Sequence, residues 1–263
     1  MPLSPGASYL TVGGRSLEYR WWGPGAQDAP TIVMLHEGLG CVGLWRDMPA
    51  RLAEATGLGV MAYSRAGYGQ SDPAPLPRPL DYMTREALEV LPKVLLAFGI
   101  SSPVLLGHSD GATIAAIHAG AFSARSAILI APHFFTEDRG LAEIARARDA
   151  FETGDLRSRL ARHHADPDCA FRGWNDAWLD PGFRRWDVSG AIDGISAPIL
   201  AIQGADDPYG SLAQIEAIER RAKSPPDVLI LPGCGHAPHL ERAGDTLTAI
   251  EGFLRPGRAG AAP

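Results

Sequence analysis

Cysteine is scarce in this chain of 263 residues: Cys41, Cys169 and Cys234 form an odd set, far apart, with no C-x-x-C pairing. That pattern argues against a disulfide framework and points to a reducing compartment. Basic charge is also short. With 24 Lys and Arg against 30 Asp and Glu, the formal net charge is −6. Binding a phosphate backbone needs a basic face, so this balance argues against nucleic acid as the main partner. No apolar run approaches the roughly 18 residues that a membrane helix needs. Met1-Pro2-Leu3-Ser4-Pro5-Gly6 has neither the basic nor the apolar region of a signal peptide. A cytoplasmic protein with no membrane partner is therefore expected. Internal repeats are lacking as well. What is present, 46% hydrophobic and 21% charged residues, suffices for one large domain or a core plus an insertion.

The chain alternates between two kinds of segment. Tyr9 to Trp22 flanks Gly13-Gly14, which predicts an antiparallel hairpin. Thr31–Leu35, Gly59–Tyr63, Pro103–Leu106, Ala127–Ala131, Pro198–Ile202 and Val228–Leu231 are short apolar runs, as expected of strands buried on both faces. Helical periods fall between them, at about Trp45 to Ala55, Tyr82 to Phe98 and Asp245 to Leu254. Pro92 should kink the second of these. Strands alternating with helices imply a parallel sheet covered on both sides, an α/β fold. From Thr136 to Asp193 no strand-like run occurs, and Phe151, Phe171, Trp174, Trp178, Phe183 and Trp186 crowd a charged stretch. This reads as a helical insertion over the carboxyl edge of the sheet. Residues 256–263 read as a disordered tail.

Gly107-His108-Ser109-Asp110-Gly111 sits where a strand should turn sharply into a helix. Glycines on either side permit the tight turn, and the serine is left at the head of the helix, where free N–H groups favour negative charge. A serine hydroxyl is a poor nucleophile until a base takes its proton, and that base needs a carboxylate to orient it. Both partners are expected at the ends of later strands. Gly204-Ala205-Asp206-Asp207 and Gly235-His236 follow there, in the order serine, aspartate, histidine.

With these loops in order, the sequence resembles the α/β-hydrolases, of the cofactor-free serine esterase-like kind with a helical cap. The resemblance is carried by His36-Glu37-Gly38-Leu39-Gly40, Arg65-Ala66-Gly67-Tyr68-Gly69-Gln70-Ser71-Asp72, the serine turn, Gly204-Ala205-Asp206-Asp207 and Gly235-His236. It implies an eight-stranded, mostly parallel sheet with an N-terminal hairpin. The core would comprise residues 1–135 and 194–255, and the cap residues 136–193. It further implies Ser109 as nucleophile, Asp207 rather than Asp206 as the acid, and His236 rather than His239 as the base. The backbone amide of Asp110 and one from the loop after the third strand, Gly38 or else Leu39, would form the oxyanion hole. No cofactor or metal is implied. The expected partner is a small acyl substrate bearing an ester, with thioester, lactone and C–C cleavage as alternatives. A ligand receptor without turnover is the reading from a different class. Oligomeric state is not legible.

Several residues remain open. Glu37 stands where such enzymes more often have glycine, and its carboxylate should turn away from a developing oxyanion. Asp110 either complements the helix dipole or contacts Arg65 or a polar substrate group. His133, Phe134, Glu37, Leu39, Trp174 and Trp178 are candidate substrate contacts. His108 points away from Ser109 and reads as structural. The stretch His163-His164-Ala165-Asp166-Pro167-Asp168 has too few convergent ligands for a metal site.

Overall fold

Unbroken apolar strands form the middle of the sheet, because each must be buried on two faces. The computed structural model describes residues 8–255; the N-terminal residues read above for a signal peptide and the expected tail at 256–263 lie outside them. Eight strands form one sheet: β1 (Ser8–Val12), β2 (Arg15–Trp22), β3 (Thr31–Leu35), β4 (Gly59–Tyr63), β5 (Val104–His108), β6 (Ser126–Ile130), β7 (Ile199–Gly204) and β8 (Asp227–Leu231). Their order is β1-β2-β4-β3-β5-β6-β7-β8. β1 pairs antiparallel with β2, and β2 with β4; every later pairing is parallel. Gly13 and Gly14, both at positive φ, close the first hairpin, as a turn matched to strand twist requires.

Among the described residues there are also ten α-helices: α1 (Met48–Thr56), α2 (Tyr82–Arg85), α3 (Leu91–Ala97), α4 (Asp110–Ala121), α5 (Asp138–Thr153), α6 (Leu156–Leu160), α7 (Pro167–Leu179), α8 (Ala213–Arg221), α9 (Pro238–Glu241) and α10 (Ala243–Leu254). Strand residues alternate between two apolar layers. Ile32 and Met34 of β3 pack with Met48 and Leu52 of α1 and Ile250 and Phe253 of α10. Val33 and Leu35 face the other way, into the layer that holds α4 and, from the stretch between β6 and β7, Ile144, Phe151, Trp174 and Trp178. That stretch contains helices α5 to α7 and two short 3-10 turns, Pro181–Arg185 and Ser189–Gly194. Among the described residues, no helix is long and apolar enough to cross a membrane.

The single helix expected over 82–98 is divided. Between α2 and α3 runs a π-helical turn, Glu86–Val90, and Pro92 stands in the first turn of α3. Proline has no N–H to give the preceding turn, so its carbonyls need other donors. One is supplied from α4: His118 Nδ1 lies 2.9 Å from Ala87 O. The helix expected from about Trp45 starts instead at Met48, after a 3-10 turn over Val42–Trp45. Helix α8 is an addition to the elements expected from the sequence.

Candidate active site

Parallel pairing brings the carboxyl ends of β3 to β8 to one edge of the sheet, which is where loops of open α/β sheets bind ligands. Ser109 lies between β5 and α4 with φ 54° and ψ −120°. A non-glycine residue at positive φ is strained and holds only where its surroundings over-determine it. Here the Ser109 N–H is bonded to Ile130 O of β6 at 2.9 Å, and Ala112 N reaches Ser109 O at 2.8 Å. The flanking glycines are steric necessities. A Cβ on Gly107 would fall 2.1 Å from Gly111 O, and one on Gly111 would fall 1.9 Å from Leu35 O.

Of the adjacent aspartates, Asp206 is exposed and Asp207 is buried at 1% exposure. Asp207 Oδ2 lies 2.7 Å from His236 Nδ1 and accepts Gln203 Nε2 at 2.7 Å. Its Oδ1 accepts the Tyr209 N–H at 2.8 Å. Burial alone would raise this carboxyl. The hydrogen bond and charge of His236, with the Tyr209 N–H, outweigh it and hold the group below the usual carboxylate range. A carboxylate facing Nδ1 makes that nitrogen the protonated one, so Nε2 is the free acceptor. His239 is buried against His108, with ring centroids 4.6 Å apart, and Trp45, at 5.0 Å.

Ser109 and His236 share one cavity of about 110 Å3. Glu37, Gly38, Leu39 and Asp110 line it beside them, and His133, Trp174, Trp178 and Tyr209 make its aromatic walls. Gly140 and Ile144 of α5 also line it. Phe134 does not: it is fully buried in the core, with its N–H on Gln214 Oε1 at 2.8 Å. It sits at the right strand end, but its side chain packs inward. Burial in this nest of aromatic and imidazole rings pushes His133 down to about 3, helped by the neighbouring His236, so it is a neutral polar group in the wall.

Asp110 has no surface exposure. Its Oδ2 accepts the Tyr82 hydroxyl at 2.5 Å, and that hydroxyl accepts Trp178 Nε1–H at 3.0 Å. Because an indole nitrogen only donates, the order of donors runs one way, from Trp178 through Tyr82 to Asp110. Burial raises the Asp110 carboxyl, and Arg65 and the Tyr82 hydroxyl offset only part of that. The Glu37 carboxylate faces His108 Nδ1 at 3.6 Å and occupies the space where a Cβ on Gly40 would sit. Burial would raise it, but the rings of His108, His36 and His239 hold it well below the ordinary range. His108 Nε2 in turn is 2.7 Å from His236 O, behind the Asp207–His236 pair. His164 bridges two loops, accepting the Gly69 N–H at Nδ1 (2.9 Å) and reaching Leu39 O from Nε2 (3.0 Å). Gln203, Tyr209, Tyr82 and Gly140 were not among the residues expected here. Gln203 alone carried a signal, as a polar residue closing an apolar strand.

Residues 32–250 match the profile described as the alpha/beta hydrolase family. No curated protein matched the chain. Among solved structures, a hydrolase from Pseudomonas aeruginosa PA01 superposes with TM-score 0.73 at 19% identity, over 96% of this chain and 99% of that one. The enol-lactonase from Burkholderia xenovorans LB400 gives TM-score 0.70 at 19% identity, over 94% and 99%. A structure reported with carboxylesterases of the thaumarchaeon Nitrososphaera gargenis gives 0.73 at 17%, over 94% and 97%. These identities speak for a shared fold. With the profile spanning most of its length, the chain belongs to the alpha/beta hydrolase family.

Proposed function

We propose that the chain is a serine hydrolase that cleaves an ester-type bond of a small substrate through an acyl-enzyme. The observation that carries this reading is that Ser109, at positive φ on the strand-to-helix turn, shares its cavity with a histidine hydrogen-bonded to a buried aspartate. In the proposed reaction Ser109 Oγ attacks the acyl carbon while His236 Nε2 takes its proton. Asp207 keeps the imidazole in the Nδ1–H tautomer and stabilises the imidazolium as it forms. The proton then passes to the departing alkoxide. Water, deprotonated by the same nitrogen, opens the acyl-enzyme and restores Ser109.

The negative charge on the carbonyl oxygen needs fixed donors in a water-poor site. We assign these to the backbone N–H groups of Asp110, at the head of α4, and of Gly38. Leu39, His133, Trp174 and Trp178 would contact the acyl group, with α5 to α7 acting as a cap. Glu37 would act on the loop and not on the substrate. A dry cavity of about 150 Å3 accommodates benzene, so the smaller space here favours a short acyl group. Every group in this scheme belongs to the protein, and the scheme calls on no metal or organic cofactor.

The test is Ser109→Ala against short p-nitrophenyl esters, with a fluorophosphonate probe on the wild type. Removal of the nucleophile should lower kcat about 10^4-fold or more while the melting temperature stays within a few degrees. Turnover by Ser109→Ala equal to wild type would falsify the assignment. A wild type unlabelled at Ser109 and inert to esters would favour a receptor. Comparing kcat/KM for esters, acyl thioesters, enol-lactones and vinylogous diketones then fixes the bond cleaved.

A further inference from the structure

A backbone N–H can stabilise an oxyanion only if its peptide plane is held before the charge forms. The loop that follows β3, residues 36–40, is held through its carbonyl groups. Arg65 Nη1 donates to His36 O, and Arg65 Nη2 donates to Glu37 O at 2.9 Å. The His36 ring adds a second donor to Glu37 O. Its Nε2 accepts the Arg65 backbone N–H at 3.0 Å, which leaves Nδ1 as the protonated nitrogen, 2.7 Å from that carbonyl. Gly40 N lies 3.2 Å from the same oxygen. Three donors thus converge on one carbonyl with two lone pairs.

The consequence follows from peptide geometry. In a planar trans peptide the C=O of one residue and the N–H of the next point in opposite directions. Arg65 is 1% exposed and is not among the residues lining the cavity. Turning Glu37 O toward it turns the Gly38 N–H away, and Gly38 is in the cavity wall beside Ser109. Gly38 itself has no room for a side chain, since a Cβ would fall 2.2 Å from Trp174 Nε1. Its position is therefore set by packing and its orientation by the carbonyl before it.

Arginine suits this task in a way lysine does not. The planar guanidinium offers a fork that spans two successive carbonyls, whereas an ammonium is a point donor on a flexible stem. The buried charge is not isolated: the guanidinium carbon stands 5.1 Å from the Tyr68 ring centroid, and His36 packs edge-on against the same ring at 5.0 Å.

The geometry points to Arg65 as the positioning residue of the oxyanion hole, its fork holding the His36 and Glu37 carbonyls so that the Gly38 N–H faces Ser109. This assignment rests on the serine-hydrolase reading above. The experiment compares wild type, Arg65→Lys and Arg65→Met for kcat and KM on a short ester, for the rate of inactivation by a fluorophosphonate, and for melting temperature.

For folded variants, kcat should fall about 10^2-fold, as when one oxyanion donor is lost, with KM within about twofold of wild type. Inactivation by the phosphonate should slow in parallel, because its adduct also places an oxygen in the hole. Folded variants with wild-type kcat, or with the loss confined to KM, overturn the assignment. If neither variant folds, the Gly38 amide resonance of the wild type decides. A downfield shift on phosphonylation supports the orientation, and an unmoved resonance overturns it. Failure of the wild type to label at Ser109 removes the serine reading itself. Labelling with undiminished rates in the Arg65 variants removes only the role of Arg65.

Discussion

At the scale of single residues, the turn that carries Ser109 tolerates almost no added volume. Gly111 lies against the end of β3, where a new Cβ would meet the carbonyl of Leu35 at 1.9 Å. The obstacle is backbone, which cannot rotate aside. Gly111→Ala should therefore cost about 1–3 kcal/mol, as overpacking does, or abolish folding; urea denaturation with an unchanged midpoint would contradict this. The residues expected in chemical roles were legible because each sits in a short glycine-marked pattern after an apolar run, in the order serine, aspartate, histidine: a serine between glycines, an aspartate after Gly204 and a histidine after Gly235. Choosing between Asp206 and Asp207 needed the resemblance. Adjacent side chains point apart, and only the folded chain shows that Asp207 is the one against His236. Phe134 shows the limit of the same reasoning. Its place at a strand end is visible in the sequence, but the inward direction of its side chain is not.

At the scale of elements, the sequence located the strands within one or two residues: the hairpin strands flank Gly13-Gly14, and each later strand is a short apolar run bounded by turn formers. Helices were less well bounded. Pro92 announced a disturbance in the helix after residue 82, but not its form, a π turn in which the Ala87 carbonyl meets His118 of another helix. The join between α7 and α4 was invisible for the same reason. Tyr82 connects Trp178 to Asp110 across three separate helices. Tyr82→Phe keeps the ring but strands an indole N–H and a carboxylate oxygen, so it should cost about 1–3 kcal/mol for each group left unpaired. A double-mutant cycle with Trp178→Phe should show that the two losses are not additive. Additive losses would mean the chain of donors is not a unit.

At the scale of the whole molecule, histidines packed together under the site tie stability to pH. Burial, followed by the charge of neighbouring imidazoles, lowers His133 and His239 to about 3, against roughly 6.5 in an unfolded chain. The unfolded state therefore takes up protons first as pH falls. The stability these neutral rings permit is full above pH ~6.5 and drains away between there and ~3. Asp207, also depressed, adds a loss at still lower pH, below the ordinary aspartate value near 3.9. Asp110 and Glu86, raised by burial, act in the opposite sense above about pH 4. The histidine contribution is therefore read as a difference. The fall in melting temperature from pH 7 to pH 4 should be steeper for wild type than for His239→Gln, and equal slopes would contradict it. The sequence carries the alternation of strands and helices and the order serine, aspartate, histidine, because periodicity and motif spacing are local properties of a chain. Which carboxylate meets the imidazole, which aromatics reach the cavity and which way each loop carbonyl turns are set by contacts between residues far apart in the chain. The Glu37 carbonyl, which accepts from a guanidinium 28 residues away, meets that donor only once β3 and β4 lie side by side.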